Sequence, residues 1–375
     1  VLRKVVLEPL LLRLHQSLFS RPKRVGLILF GRGNIGQSWL TLFQEQQARL
    51  EKSLNLQVTL YAAFNSHGAM FDSAGLTREQ IISDFEPSPL SWSSWLEGVT
   101  EHGFDHLIAI DMTASEQLAQ RYPDLIAQHI HIIAANKLAV AAEQESYQTL
   151  KQHLVEQDVQ LLSNATVGAG LPVQTSIKQL QYSGEQIQRI GGIFSGTLSW
   201  LFQQYDGSQP FSQLVQQAYQ QGLTEPDPRA DLSGQDVQRK LVILAREAGF
   251  ALDPLAVHVE NLVPATLAKL DRDSFFKRLS ELDAPLAAAQ AKAQQQGGVL
   301  RYLAQFDAAT GEARVGLEVV DKDDAVAHVK AGDNVFIIHT THYHDNPLII
   351  QGPGAGREVT AGAVQADLWQ LLASL

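Results

Sequence analysis

The sequence predicts an α/β protein of two domains, in which an open parallel sheet is followed by a mixed α+β domain. The chain has 375 residues, which exceeds the size at which one hydrophobic core usually stops growing. A strand, a glycine-rich turn, a helix and a second strand follow one another near the start. Later strands alternate with helical segments and are joined by hairpin-like turns such as "DAATGEA".

Composition narrows the class of protein. The formal net charge of −11 disfavours nucleic acid and anionic membranes as partners. The chain has no cysteine, which excludes disulfides, thiolate metal sites and thiol nucleophiles. We find no apolar run long enough to span a bilayer, and charged residues interrupt the first 19 residues where a signal peptide would need an apolar core. We therefore expect a cytoplasmic protein.

Residues 1–22 are predicted to form a linker or interface helix. Leucines recur there at helical spacing, at Leu7, Leu10, Leu11, Leu14 and Leu18. The chain begins at Val1, and its methionines are Met70 and Met112. This start suggests a piece of a longer protein.

Residues 23–163 are predicted to be a Rossmann-type NAD(P)-binding domain. The strand "VGLILF" runs directly into "GRGNIG", and a helix and the strand "LQVTLYAAF" follow. Glycines at this point allow a tight turn and the close approach of a pyrophosphate to a helix N-terminus. The predicted cofactor-binding residues of this turn are Gly31, Arg32, Gly33, Asn34, Ile35 and Gly36. The alternative is an ordinary tight turn.

The end of the second strand bears on the choice of cofactor. The carboxylate that usually holds the ribose 2′-hydroxyl is replaced there by Asn65 and Ser66, followed by His67. These side chains offer hydrogen bonds without repelling a phosphate, and Arg32 lies in the turn itself. We expect NADP(H) to be preferred and NAD(H) to remain possible, although "NSHG" could also be only a loop.

Two further strands bring polar residues to the same edge of the sheet. The segments His106–Asp111 and His129–Ala135 read as strands, followed by "MTAS" and "NK". In an open parallel sheet the ligand lies outside the carboxyl ends of the strands, so Thr113, Ala114, Asn136 and Lys137 should face one crevice. A lysine in this position is otherwise a solvated surface group.

Residues 164–350 are predicted to be an α+β domain for substrate binding and dimerisation. Its strand candidates are "QIQRIGGIF", "GVLRYLAQF", "ARVGLEVV", "NVFIIHTTHY" and "PLIIQG". Residues 351–375 are predicted to return to the nucleotide-binding domain as a glycine turn and a helix. Within that turn, position 355 is assigned to the cofactor; it is Ala355, between Gly354 and Gly356.

The segment "AYQQGLTEPDPRADLSGQDVQRK", residues 218–240, concentrates charge between two helices with apolar faces. Glu225, Asp227 and Asp231 lie in the loop, and Asp236 and Lys240 are four apart on one helix face. One interpretation is a site that binds a cationic amino group and keeps a proton donor beside a reacting oxygen. The other is a solvated capping loop with an ordinary ion pair.

This segment resembles the signature of the homoserine dehydrogenase family. Further motifs resemble the family in order and spacing: "NK" after a strand, "NATVGAGLP", "GGIFSGT" and "GPGAGREVTAG". Within the family, the sequence is most similar to the dehydrogenase half of the bifunctional aspartokinase–homoserine dehydrogenases. A covalently linked aspartokinase domain in the full-length protein is what this resemblance implies.

The resemblance implies NAD(P)H-dependent reduction of L-aspartate 4-semialdehyde to L-homoserine, a step toward threonine and methionine. It implies that Lys137 and Lys240 are the active-site lysines and that Asp236 accompanies the second of them. It also implies a homodimer and assigns substrate binding to Gly196, Thr197, Glu225 and Asp231.

The sequence departs from the family at two positions. Asn164 stands where many members have a glutamate that helps bind a monovalent cation, through backbone carbonyls matching Val167, Ala169 and Leu171 here. This leaves open whether the cation site is retained. Ser195 stands where an asparagine is common, which we interpret as variation within the family.

Other functions were weighed against this one. His339, His342 and His344 could suggest a metal, but alternation along a strand would place only the last two on one face, which favours a surface strand. An aldehyde dehydrogenase acting through an acyl-enzyme would need a cysteine. A non-catalytic NADP(H)-sensing module and another two-domain NADP-dependent reductase remain as alternatives.

Overall fold

A computed structural model describes residues 21–83, 91–101 and 103–375 of the chain. Most of the helix predicted over residues 1–22 lies outside the described residues. Two six-stranded sheets organise the rest. In the part of the chain that is described, no helix is both long enough and apolar enough to cross a membrane.

The first sheet has the strand order β3-β2-β1-β4-β5-β6, and β3 is its one antiparallel strand. Its strands are β1 (Lys23–Phe30), β2 (Leu56–Asn65), β3 (Gly68–Phe71), β4 (His106–Asp111), β5 (Ile130–Ala134) and β6 (Leu161–Leu162). The central strands are buried on both faces, as parallel sheets covered by helices require. The carboxyl ends of β1, β2 and β4 therefore meet at one edge.

Helices cover both faces of this sheet. They are α1 (Asn34–Leu54), α2 (Arg78–Ile82), α3 (Trp92–Thr100), α4 (Glu116–Ala119), α5 (Tyr122–Ala127) and α6 (Gln144–Glu156). The helix predicted at the end of the chain also packs here: Leu368 and Leu371 share a core with Leu27 and Trp39. The chain thus returns to its first sheet after building the second.

The second sheet has the order β12-β11-β7-β9-β10-β8, antiparallel except between β10 and β8. Its strands are β7 (Ile187–Ile193), β8 (His258–Val259), β9 (Val299–Asp307), β10 (Ala313–Val320), β11 (Asp333–Thr340) and β12 (Leu348–Pro353). Side chains alternate between its faces: Ile190, Phe306 and Ile338 join the main core of this half, and Arg189 and Gln305 face the other side.

The helices of the second half pack mainly on the face that carries this core. They are α7 (Val173–Tyr182), α8 (Gly196–Gln204), α9 (Phe211–Gln220), α10 (Arg229–Leu232), α11 (Gln235–Glu247), α12 (Ala265–Ala268), α13 (Arg272–Lys277) and α14 (Asp283–Gln295). The last helix, α15 (Arg357–Ser374), packs on the first sheet instead. Short 3₁₀ turns occupy Asn164–Thr166, Pro254–Ala256, Leu279–Leu282 and Ala325–His328.

The prediction that His342 and His344 share one face of a strand is wrong. β11 ends at Thr340, whose hydroxyl donates to Glu185 Oε2 at 2.5 Å. His342 lies in the following loop, with Nδ1 2.8 Å from Glu185 Oε1. Among the described residues, no group of three or more His, Asp or Glu side chains is arranged to hold a metal ion.

Candidate active site

The glycine-rich turn after β1 is shaped for close contact. Gly31 has φ +94°, and a Cβ there would lie 2.9 Å from the carbonyl oxygen of Met112. A Cβ on Gly36 would lie 2.3 Å from the carbonyl oxygen of Gly31. Gly33 precedes α1 without a side-chain cap, and a Cβ on it would meet nothing within 4 Å. The N-terminus of α1 therefore opens onto space that fits a pyrophosphate.

A cavity of about 1280 Å³ extends from this turn along the edge of the sheet, and we define it as the cofactor cavity. Its lining includes Gly31, Asn65, Ser66 and Thr113. The Asn65 carboxamide accepts a hydrogen bond from the His67 backbone N–H at 2.8 Å. The end of β2 thus presents amide and hydroxyl groups to the cavity, and neither Asn65 nor Ser66 carries a charge.

Arg32, also predicted to contact the cofactor, is partly buried. Its guanidinium donates to the carbonyl oxygens of Ile81 at 3.2 Å and Ile82 at 3.4 Å. These carbonyls belong to the last turn of α2, where a cation is favourable. Three more predicted cofactor residues lie at the carboxyl ends of strands of the same sheet. Asn34 and Ile35 begin α1 after β1, and Ala114 follows Thr113 after β4.

A buried hydrogen-bond network supports the cavity from below. Asp111, at the end of β4, is 1% exposed and accepts hydrogen bonds from Thr113, from the Tyr122 hydroxyl at 2.8 Å and from the Asn136 amide at 3.1 Å. Burial raises the pKa of Asp111 against these donors. Asn136 was expected to face the crevice, but it is buried within this network. Asn136 thereby ties the segment before Lys137 to β4.

Lys137 forms an ion pair with Asp236 of α11, which in turn pairs with Lys240 of the same helix. Its Nζ lies 3.5 Å from Asp236 Oδ1, and Lys240 Nζ lies 2.8 Å from Asp236 Oδ2. Burial tends to raise the pKa of Asp236, but Lys240 and then Lys137 outweigh it and hold that pKa well below its ordinary value. We define Lys137, Asp236 and Lys240 as the lysine cluster. It places two ammonium groups around one permanent carboxylate.

Lys240 is the more enclosed of the two lysines. Its side chain is 9% exposed, against 29% for Lys137. Lys240 Nζ also donates to the Phe194 carbonyl oxygen at 2.8 Å, which accepts a second hydrogen bond from the Asn334 amide at 3.2 Å. This carbonyl could not be predicted from the sequence, because a backbone acceptor 46 residues away leaves no sequence pattern.

Asp231 organises the acidic loop. It accepts hydrogen bonds from the Thr197 hydroxyl at 2.9 Å and from the Glu225 backbone N–H at 2.8 Å. Burial nevertheless raises its pKa, and the nearby charges of Glu225 and Asp236 add to the effect. Gly196 begins α8 one residue before Thr197, and a Cβ on it would lie 2.9 Å from the carbonyl oxygen of Gly332. Asp231 is thus a partly buried carboxylate that accepts hydrogen bonds and, among the residues that the structure describes, forms no ion pair.

The neighbouring acid, Asp227, has a different role. Its carboxylate pairs with the Arg229 guanidinium, with the shortest contact at 2.6 Å. The same guanidinium donates to the carbonyl oxygen of Leu270 at 2.6 Å. Asp227 and Arg229 therefore fix the loop to the rest of the domain.

Comparisons with known proteins agree with this arrangement. The sequence model described as "Homoserine dehydrogenase" matches residues 172–369, and "Homoserine dehydrogenase, NAD binding domain" matches residues 31–164. The homoserine dehydrogenase of Emericella nidulans is 40% identical over 279 residues, which cover 72% of this chain and 76% of that protein. The chain belongs to the homoserine dehydrogenase family.

The members of this family are NAD(P)-dependent oxidoreductases, and the chain is similar to two further proteins, one in sequence and one in fold. It is 47% identical to the bifunctional aspartokinase/homoserine dehydrogenase 2 of Escherichia coli, over 99% of the chain and 46% of that protein. The chain thus spans about half the length of this relative. A hyperthermophilic archaeal homoserine dehydrogenase solved in complex with NADPH shares the fold, with a TM-score of 0.71, 19% identity and coverage of 94% and 98% of the two chains.

The segment that begins at Asn164, for which a cation site was left open, is linked to α15. Its side-chain amide donates to Asp367 Oδ1 at 2.5 Å, and its backbone N–H donates to Asp367 Oδ2 at 3.0 Å. Burial raises the pKa of Asp367 to about 6. Downstream, Ala169 has φ +53°, and the Leu171 carbonyl accepts the Val173 N–H at 2.8 Å. The Asn164 side chain is therefore engaged with α15.

The family's second glycine turn lies beside the lysine cluster. Ala355 stands between Gly354 and Gly356 at the start of α15. A Cβ on Gly354 would overlap the Asn334 side chain, at 2.0 Å from Nδ2. Asn334 therefore links this turn to the Phe194 carbonyl that Lys240 also contacts.

Proposed function

We propose that this chain catalyses the NAD(P)H-dependent reduction of L-aspartate 4-semialdehyde to L-homoserine and the reverse oxidation. The observation that carries the proposal is the lysine cluster near Asp231, in which Lys137 follows the carboxyl end of β5 in the same sheet whose edge borders the cofactor cavity. A module that only senses the dinucleotide would need the cavity, but it would not need the lysine cluster or Asp231. Family membership supports the same reaction.

Asp231 and Glu225 are proposed to bind the ammonium end of the substrate. A partly buried carboxylate that has hydrogen-bond donors but no cation gains most from a positively charged ligand. Thr197 and the Glu225 backbone N–H fix the orientation of Asp231 before the substrate arrives. Gly196 keeps the backbone close at this point. Asp227 contributes only through the loop, because Arg229 already neutralises it.

The lysine cluster is proposed to handle the oxygen of the reacting carbonyl. Bound NAD(P)H would supply the hydride to the aldehyde carbon. As negative charge develops on the oxygen, an ammonium group of the cluster stabilises it and donates a proton. Asp236 holds both ammonium groups in place, since its lowered pKa keeps its own carboxylate ionised. Lys240 and Lys137 both meet these requirements.

NADP(H) is proposed as the preferred cofactor, with NAD(H) also accepted. The amide and hydroxyl groups of Asn65 and Ser66 support this preference, because they replace the carboxylate that would repel a 2′-phosphate. The residues of the turn at Gly31 to Gly36, together with Thr113, Ala114, Lys137 and Ala355, are proposed to surround the dinucleotide.

The test is homoserine oxidation followed by the near-ultraviolet absorbance of NADPH, with NADP and NAD compared at equal concentrations. We expect turnover with both and a higher kcat/KM for NADP. Lys240→Ala serves as the catalytic control and should abolish most of the turnover. A chain that binds NADPH but turns over neither cofactor would reject the proposed activity.

A homodimer through the second sheet is proposed as the assembly. The sheet face away from the helices carries an open cavity of about 490 Å³ whose lining includes Arg189, Arg314, Asp307, Glu312 and Ile337. Both signs of charge and an apolar residue suit a self-complementary contact. Sedimentation should give the mass of a dimer for the parent chain and of a monomer for Ile337→Asp, and a monomeric parent would reject the assembly.

The link to an aspartokinase domain stays a prediction, supported by the bifunctional relatives. A cytoplasmic location also stays a prediction. A monovalent cation at the carbonyls of Val167, Ala169 and Leu171 is proposed to have at most a weak role, since Asn164 brings no charge to the site.

A further inference from the structure

Arg121 is a feature of the cofactor cavity that the glycine-rich turn does not explain. It lines the cavity together with Trp92, and Asn65, Ser66 and His67 contribute to the same lining. The part of the chain that the structure describes contributes no carboxylate to this lining, and Arg121 is its one side chain with a permanent positive charge. An otherwise neutral cavity in a chain of net charge −11 thus holds a guanidinium.

The position of Arg121 is set by one carboxylate oxygen. Asp124 Oδ2 accepts a hydrogen bond from Arg121 Nη1 at 3.3 Å and another from the Trp92 indole N–H at 2.8 Å. The guanidinium carbon lies 5.7 Å from the centroid of the Trp92 ring, within the range of a cation–π contact. Asp124 therefore holds the arginine and the ring together.

Trp92 is itself fixed by other aromatic rings. Its centroid lies 4.8 Å from that of Trp95 and 6.1 Å from that of Phe64, which directly precedes Asn65 on β2. The platform under Arg121 is thus continuous with the strand end that was predicted to select the cofactor. The Arg121 side chain remains 53% exposed, and among the described residues it donates one hydrogen bond, to Asp124.

Arg32 differs in this respect. The sequence favoured it as the cation near the adenosine end, but its guanidinium donates to two carbonyls at the end of α2. It is also not part of the cavity lining. A dianionic phosphate entering the cavity would meet Arg121 without displacing a backbone hydrogen bond.

We propose that Arg121 binds the 2′-phosphate of NADP(H) and thereby sets the preference for NADP(H) over NAD(H). The inference rests on the proposed binding of NAD(P) in this cavity. The 2′-phosphate is the group that distinguishes the two cofactors, and a guanidinium can pair with two of its oxygens at once. Asp124 keeps the guanidinium in place without lining the cavity itself.

The experiment compares Arg121→Gln with the parent chain in homoserine oxidation. We expect kcat/KM for NADP to fall by about tenfold to hundredfold, as expected for lost charge-assisted hydrogen bonds, with kcat nearly unchanged. The value for NAD should hardly change, and Arg121→Lys should restore part of the preference. Dissociation constants of NADPH and NADH, measured by fluorescence titration, should show the same selectivity.

Arg278→Gln is the matched control. Arg278 pairs with Glu281 at i,i+3, as Arg121 does with Asp124, and the exposures are similar at 47% and 36% against 53% and 40%. It lies in the second half of the chain, outside the cavity lining. This variant should leave both cofactors unaffected.

The outcomes separate this inference from the proposed function. Equal losses for NADP and NAD in Arg121→Gln, or an unchanged ratio, would overturn the role of Arg121. If the parent chain turns over no homoserine but binds NADPH more tightly than NADH, the activity fails and the titration of the variants still decides the inference. A parent chain that binds neither nucleotide would overturn both.

Discussion

Asp231 and Asp236 lie five positions apart in one segment, yet their pKa values shift in opposite directions. Burial raises the pKa of Asp231, and among the described residues this carboxylate forms no ion pair that would oppose the shift. Burial acts on Asp236 too, but Lys240 and Lys137 outweigh it and lower the pKa. The same physical penalty thus has opposite outcomes, decided by whether the protein supplies the counter-charge itself.

The comparison indicates what each carboxylate is for. Asp236 is neutralised internally, so it can hold two ammonium groups through many reaction cycles without a ligand. Asp231 is left with hydrogen-bond donors only, so its ionised form is completed by a cation from outside. We infer that Asp236 maintains the catalytic charges and that Asp231 recognises the substrate.

Loss of a lysine should have the largest effect. Lys240→Met removes an ammonium group from the reacting oxygen and leaves Asp236 with one partner, so kcat should fall by about 10² to 10⁴. Lys137→Met should reduce kcat too, and comparing the two ranks the proton donors. Steady-state kinetics and NADPH titration are the measurements, and near-parental kcat in either variant would remove that lysine from the chemistry.

Lys178→Met is the control for these variants. Lys178 is also partly buried and pairs with Glu247 at 3.0 Å, but it lies on α7 outside the lysine cluster. Its loss should leave kcat unchanged.

Asp231→Asn tests the other half of the comparison. We expect the KM for homoserine to rise by about tenfold to hundredfold, since a charge-assisted hydrogen bond to the substrate is lost. The KM for NADP should remain close to the parental value. Asp227→Asn provides the matched control in the same loop, because Asp227 already pairs with Arg229. Equal effects on homoserine and NADP would contradict a role in substrate binding.

The pH dependence of this step follows from the raised pKa of Asp231. Ammonium binding needs the ionised carboxylate, so the KM for homoserine should rise as the pH falls through that pKa. Because the pKa is raised, the rise should begin at a higher pH than for an exposed aspartate. Profiles of log kcat/KM for the parent and Asp231→Asn check this, and a limb that persists in the variant would assign it to another group.

A third aspartate, Asp367, extends the comparison to stability. It is 1% exposed, its partner Asn164 is neutral, and its folded pKa of about 6 exceeds the ordinary value of 3.8. The folded state therefore binds the proton more tightly, and stability from this group is complete below pH 3.8 and lost as the pH rises through about 6.

Asp367→Asn should remove this dependence. Between pH 4 and 6 the parent should lose on the order of 2 kcal/mol of unfolding free energy relative to the variant. Denaturant unfolding at several pH values measures the difference, with the exposed Asp345→Asn as the control. Parallel curves for the parent and Asp367→Asn would contradict the raised pKa.

Removal of monovalent cations should have the smallest effect. Replacing K⁺ and Na⁺ by a large organic cation at constant ionic strength should change turnover little, because Asn164 is uncharged and its amide is engaged with Asp367. Asn164→Glu is the converse test. A strong requirement for K⁺ in the parent chain would show that the carbonyls of Val167, Ala169 and Leu171 are sufficient.

Elements with strong local patterns could be predicted from the sequence. β4 and β10 have the expected bounds, His106–Asp111 and Ala313–Val320, because β4 is a continuous apolar run and β10 an alternating one. β3 was not predicted: "NSHG" was given as cofactor-contacting residues or, alternatively, as a loop, and it is also the turn of a hairpin in which Asn65 pairs with Gly68. β8 has two residues, too few for any periodicity.

The site divides in the same way. The glycine turn and the Asp236–Lys240 spacing are local patterns, so these residues can be recognised in the sequence. The contact of Lys137 with Asp236, the Phe194 carbonyl under Lys240 and the burial of Asn136 all depend on how distant segments pack. Arg121 was missed for a related reason: its meaning depends on Trp92 and Asp124, which only the folded chain brings together.

The ion pair between Lys137 and Asp236 has a further consequence. Lys137 follows β5 of the first sheet, whereas Asp236 lies on α11 in the half that contains the second sheet. The charge distribution around the proposed position of the reacting oxygen therefore depends on how the two sheets are docked. A small rotation of one half against the other would separate Lys137 from Asp236 and leave Lys240 as the sole counter-ion. Substitutions at the junction of the two halves would then change the catalytic rate, even where they lie far from the bound ligands.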